Sequence, residues 1–322
     1  MVKKYVRFNY FSINMVPESI PTSMGNRTVA SAWDMKELLD YLSVTGNQLD
    51  SVIDVGEYVA EFERETLIYD STTDIYSFQL GKMRATGIPS LKTIGQPKKD
   101  IRLKDDEFIG EFVTIIFDPT FCTVGIQSNR YSLNVKQVEL YLTELRARYN
   151  NLVGRIDGIP LKVEFQPILD IARAQTIGSA DIFRKLTIKG TDAMADALAR
   201  QGVLGEISEV IGQARGINFE LTISLGQAPK SESLDNGVIR EVIQGFHQMD
   251  EKDRPKVEIV AREEEAAALE VINLAAPTLT NIITLEVVER KGIGHEYIHQ
   301  MFKEKYPHVR GRIAAINVPL EA

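Results

Sequence analysis

Phe108-Ile-Gly-Glu-Phe-Val-Thr-Ile-Ile-Phe117, Asp118-Pro119-Thr120 and Phe121-Cys-Thr-Val-Gly-Ile-Gln127 follow one another without a break, and their reading decides the fold class. Two apolar runs rich in β-branched and aromatic residues flank a three-residue turn. Proline fixes its own φ, and an aspartate before it can hydrogen-bond the backbone two residues on, so the chain reverses there. The result is an antiparallel hairpin. Behind it, Val135, Val138, Leu142, Leu145 and Tyr149 recur every three or four residues and share one face of a helix. Asn134 caps that helix, and Gln137 three residues on completes a capping box.

Upstream, Tyr5 to Ser12 alternate as a strand over about Lys3–Asn14. A Pro/Ser/Gly-containing loop, Pro17 to Thr28, leads to a helical stripe of Trp33, Leu38, Leu39 and Leu42 over about Ala30–Ser43. Asp70-Ser-Thr-Thr-Asp74 is a polar turn between extended segments, and Ile75–Arg84 is the return strand. Downstream, Gly154 to Pro160 marks a boundary before strands at Leu161–Ile168, Phe183–Ile188 and Ile217–Leu225. Short helices are expected at about Thr191–Arg200 and Leu204–Arg215. After the linker Gly226–Ser233, Ile239, Val242, Ile243 and Phe246 form another apolar helix face. Strands at Lys256–Ala261 and Asn281–Val288, a helix at about His295–Lys305 and a last strand, Arg312–Val318, complete the reading. The class is α+β, with mixed or mostly antiparallel sheets and flanking helices. Length and the 154–160 boundary suggest two domains, 1–157 and a strand-rich 158–322.

Bulk composition is that of a globular chain. Of 322 residues 44% are hydrophobic and 25% charged, with a formal net charge of −8, which excludes a disordered, collagen-like or disulfide-built protein. Cys122 is the single cysteine, inside a strand-like run, and is expected to be a buried, inert thiol in a reducing compartment. No run approaches the 18 or so apolar residues of a membrane span, and no secretory h-region follows Lys3-Lys4. A cytoplasmic location is the expectation.

One short motif has catalytic form. His295-Glu-Tyr-Ile-His299 places two imidazoles four residues apart, on one helix face, where they could share a zinc ion. Glu296 would then act as general base in a zinc-dependent hydrolase. The third ligand is missing: Glu304 follows His299 too closely, His308 comes after Pro307, and Glu321 is terminal. Without G-x-G-x-x-G, Walker A or G-x-S-x-G, no complete catalytic set is visible. A non-enzymatic role without cofactor is expected, with zinc hydrolysis as the alternative.

The cations, by contrast, are clustered. Between Arg290 and Arg312 stand Arg290, Lys291, Lys303, Lys305, Arg310 and Arg312, against Glu296 and Glu304. Arg130, Lys136, Arg146, Arg148 and Arg155 oppose Glu139 and Glu144. A third group, Lys92, Lys98, Lys99, Arg102 and Lys104, faces only Asp100 within its loop. Local basic patches in an acidic protein suit phosphate contacts; equally, they can neutralise acidic runs elsewhere in the molecule.

The order of segments also resembles a known family. Ile75-Tyr-Ser-Phe-Gln-Leu-Gly-Lys-Met-Arg84, the lysine-rich loop, Leu103-Lys-Asp-Asp-Glu-Phe-Ile-Gly-Glu-Phe112, the Asp118-Pro119 hairpin, Gly125-Ile-Gln-Ser-Asn-Arg130, Val163-Glu-Phe-Gln-Pro-Ile168 and Arg184-Lys-Leu-Thr-Ile188 are similar to the RexA-like phage-exclusion and bacterial defence proteins, with a likeness to the DNA-binding subunit of the Kiwa defence system. The resemblance spans about residues 1–225. It implies a homodimer that binds duplex DNA without sequence preference in abortive infection, an antiviral defence. A third possibility is a protein-interaction subunit of a defence complex, contacting its partner through the loops at 89–104 and 226–237.

Overall fold

The computed structural model describes residues 2–18, 31–191, 194, 218–250, 254–262, 268–289 and 291–317. The chain is mixed α+β and forms two compact units. One comprises Met1–Ile168 with Thr280–Ala322, and the other Leu169–Leu279. The expected division into 1–157 and 158–322 differs from this partition for a specific reason. Strand β10 (Leu161–Pro167) pairs antiparallel with strand β1 (Val2–Pro17), and so does β15 (Thr280–Val287). Both ends of the chain therefore close one sheet, and the second unit is an insertion.

The large sheet runs in the order β10-β1-β9-β8-β5-β4-β3. Its remaining members are β2 (Ser31–Ala32), β3 (Ile53–Asp54), β4 (Val59–Asp70), β5 (Ile75–Arg84), β8 (Ile109–Asp118) and β9 (Thr123–Gln127), with β2 and β15 on β1. All pairings are antiparallel, and the decisive hairpin closes with Asp118 opposite Thr123. Cys122 lies in its turn at φ +46°, not in a strand, and is half-buried. Burial, with Asp34 and Asp118 nearby, raises its thiol pKa, so it stays protonated as expected of an inert cysteine.

Strand alternation puts a helical layer on each side of this sheet. Phe11, Ile13 and Met15 of β1, Phe78 and Leu80 of β5, and Val113, Ile115 and Phe117 of β8 join one core with helices α1 (Lys36–Ser43) and α2 (Val135–Leu152). The Asn134–Gln137 capping box forms at α2, and Val138, Leu142, Leu145 and Tyr149 are buried. On β1 the residues Phe8 and Tyr10, an odd number of positions from Phe11, face the other way. They meet α5 (His295–Asn317), where Phe8 packs edge-on against Phe302 with centroids 4.9 Å apart. The helix runs through Pro307 and covers Arg312, so the expected last strand is a correction. Val309 and Ile313 extend the buried face of Ile298, Phe302 and Tyr306 at helical spacing. The stripe Ala30–Ser43 is shorter than expected, because Ser31-Ala32 pair with β1 and the helix starts at Lys36.

The second unit holds a four-stranded antiparallel sheet, β12-β11-β13-β14, from Asn218–Ser224, Ile182–Thr191, Lys256–Arg262 and Glu270–Asn273. Helix α3 (Ile171–Thr176) and helix α4 (Asn236–Gln248) supply Ala174, Ile239, Val242, Ile243 and Phe246 to its core. The helices expected at 191–200 and 204–215 fall largely outside the described residues.

Candidate nucleic-acid interface

Strands β5 and β8 pair continuously from Tyr76–Phe117 out to Arg84–Ile109. The chain between them, 85–108, does not turn at once. It pairs again as a short ribbon, β6 (Ser90–Leu91) with β7 (Lys99–Asp100). Every residue from Leu91 to Asp100 is exposed. At the tip, the Gln96 N–H donates to the Thr93 carbonyl at 3.1 Å, and Gly95 sits at φ +78°. A four-residue turn with glycine at positive φ in its third place is a type II turn, so the tip has a defined shape. The Lys92 ammonium donates to the Gln96 carbonyl across it. Ile94, in the second place of the turn, is 99% exposed.

Lys92, Lys98, Lys99, Arg102 and Lys104 all lie on this arm. Of the five, only Lys104 is ion-paired among the described residues, with Glu107 at 3.0 Å. The other basic clusters behave differently. Arg146 makes a two-pronged pair with Asp157, both contacts at 2.7 Å. Arg148 meets Asp50 at 2.8 Å and Glu144 at 3.0 Å, and Arg155 meets Glu37 at 2.9 Å. Each charge on α2 thus already has a carboxylate, which leaves less for phosphate.

On α5, Arg310 binds the buried Asp118 at 3.0 Å, and also donates to the Thr73 carbonyl and to Thr120 Oγ1. Tyr306 donates to the same carboxylate. Lys303 pairs with Asp70. Burial alone would raise the Asp70 carboxyl, but the Lys303 ammonium and the Thr72 N–H hold it down at about 2. Arg312 is half-buried near Tyr10. Lys291 and Lys305 are exposed, and Arg290 lies outside the described residues. Because α2 and α5 lie on opposite faces of the large sheet, their basic residues do not share one surface. The sequence clusters there arise from neighbours along a helix whose side chains point to different partners.

His295 and His299 are both buried at the start of α5, at 7% and 9% exposure, whereas Glu296 is exposed. Consecutive helical residues point about 100° apart, so the glutamate leaves the face that the histidines share. His295 Nε2 bonds Ser77 Oγ at 2.8 Å. Burial, together with the neighbouring His299, pushes the His295 pKa down to about 4. Burial also lowers that of His299, against the pull of Asp70. Among the described residues no group of three His, Cys, Asp or Glu is placed to hold a metal ion. No helix among them is long and apolar enough to cross a membrane.

The arm is the feature that clustering along the sequence marked but did not shape. Its lysines were visible; the ribbon and the lone isoleucine at its tip depend on the β5–β8 register. Among curated proteins, none matches the chain. A family of unknown function (DUF6731) matches residues 1–313, which include the whole of the second unit and most of the first, and the chain belongs to that family.

Proposed function

We propose that this protein binds nucleic acid, duplex DNA first, through the cation-rich stretch 89–104 of the arm. The carrying observation is that Lys92, Lys98, Lys99 and Arg102 stand exposed on one arm without a carboxylate partner among the described residues, while the cations of α2 are paired. An unpaired lysine or arginine can displace condensed counterions from a phosphate backbone, and that release supplies sequence-independent affinity. A two-stranded ribbon fits the major groove of B-DNA, and ribbon or sheet readers also use the minor groove.

The defence role and the homodimer rest on the resemblance to RexA-like proteins. Plaque counts on a host expressing the chain test the first, and light scattering tests the second. The arm reading is tested by fluorescence anisotropy of a labelled duplex at about 50 mM salt, where phosphate contacts are strongest. Lys98→Gln/Lys99→Gln/Arg102→Gln is expected to weaken binding at least tenfold and to flatten the salt dependence by about 2.7 in slope, at about 0.9 per phosphate. Unaltered affinity in that variant would sink the reading.

A further inference from the structure

The tip residue asks for a ligand of its own. Ile94 is 99% exposed, in the turn that joins β6 to β7. Single exposed apolar residues are common, but this one is presented in a particular way. The turn beneath it is closed by the Gln96–Thr93 hydrogen bond and by Gly95 at φ +78°. Pro97 follows and restricts the returning strand. Lysines flank it on both sides, Lys92 before and Lys98 and Lys99 after. An apolar point held between cations suits a ligand with an anionic rim and an apolar interior. A DNA duplex has both, in its phosphates and its stacked bases.

Resting on the DNA-binding reading above, we propose that the arm enters the minor groove and that Ile94 acts as a wedge between two base pairs, kinking the duplex. Apolar wedges of this kind, carried by basic elements that contact the flanking phosphates, partly unstack a base step and bend DNA toward the major groove. The minor groove, about 6 Å wide, takes a narrow projection better than a helix. Pyrimidine–purine steps unstack most readily, so the wedge would favour sites holding TA or CA/TG steps without reading bases by hydrogen bonds. Discrimination would therefore come from deformability.

The test separates the two layers. A duplex of about 30 base pairs with a central TA step carries a donor and an acceptor dye at its ends, so that bending raises energy transfer while anisotropy reports binding. The wild-type chain is expected to bind and raise the transfer. Ile94→Ser, a change at a fully exposed position, is expected to lose most of that rise while binding within about tenfold. Ile94→Phe should restore it. If Ile94→Ser bends the duplex as wild type does, the wedge is overturned and the DNA reading stands. If wild type binds no duplex, both fall. The same variants are sedimented with vesicles of phosphatidylcholine and phosphatidylserine. Co-sedimentation lost in Ile94→Ser, without duplex bending by wild type, would assign the tip to an anionic membrane and overturn the proposal.

Discussion

His295, a candidate zinc ligand by its spacing from His299, is buried in the fold. Its ring is buried against Ser77, with His299 and, beyond it, Asp70 and Lys303 as the charged surroundings. Its pKa falls from 6.5 to about 4 on folding. Between those values the unfolded chain binds a proton that the native state refuses, so stability rises with pH across that window and is lost as pH falls from about 6.5 toward 4. At about 1.4 kcal/mol per pH unit, the loss approaches 3 kcal/mol. Denaturant melts at pH 7 and pH 4.5 should show it, and His295→Asn should reduce the difference even if it lowers stability at both. A second residue-scale expectation concerns Arg310. Its removal leaves Asp118, 1% exposed, with only neutral donors. Arg310→Met should cost about 3 kcal/mol, read as a lower denaturation midpoint, because an uncompensated buried charge costs more than the pair gains. Asp118→Asn on that background should recover part of the loss.

The elements were legible in the sequence where their own residues set the period. The Asp118 hairpin, the Asn134 cap and the four apolar residues of α4 needed only local alternation or helical spacing. Arg312–Val318 misled because Ala314, Ile316 and Val318, each two residues apart, also fit a strand. The decisive fact was Phe8 on the opposite end of the chain, against which α5 stays helical through its proline. The arm was legible as a basic loop and no further. Which lysines remain unpaired depends on where carboxylates such as Asp157 and Glu37 come to lie, and spacing carries none of that. The division of the cations between the two sheet faces was likewise beyond any single segment. At this scale, Gly95→Val is expected to disturb the turn, since a β-branched residue is strained at φ +78°. Amide exchange in the arm should quicken while the β5–β8 ladder keeps its protection, and duplex affinity should fall several-fold.

At the scale of the molecule, the first unit is built from both ends of the chain. A truncation after Leu279 removes β15 and α5, and with them the cover of Val6, Phe8 and Tyr10. That variant is expected to lose the cooperative thermal transition of the first unit and to bind a hydrophobic dye. The inserted unit, whose described core residues all lie between Ala174 and Leu274, should keep its far-ultraviolet signal. The pairing of Phe8 with Asn281 also has a consequence for synthesis. Strand β1 is made about 270 residues ahead of this partner and waits for it on the ribosome. Until then one side of β1 is an unprotected apolar edge, while the inserted unit can already collapse behind it. Biogenesis of this chain is thus ordered from the middle outward, and its vulnerable interval is set by the speed of elongation, not by the stability of the finished sheet.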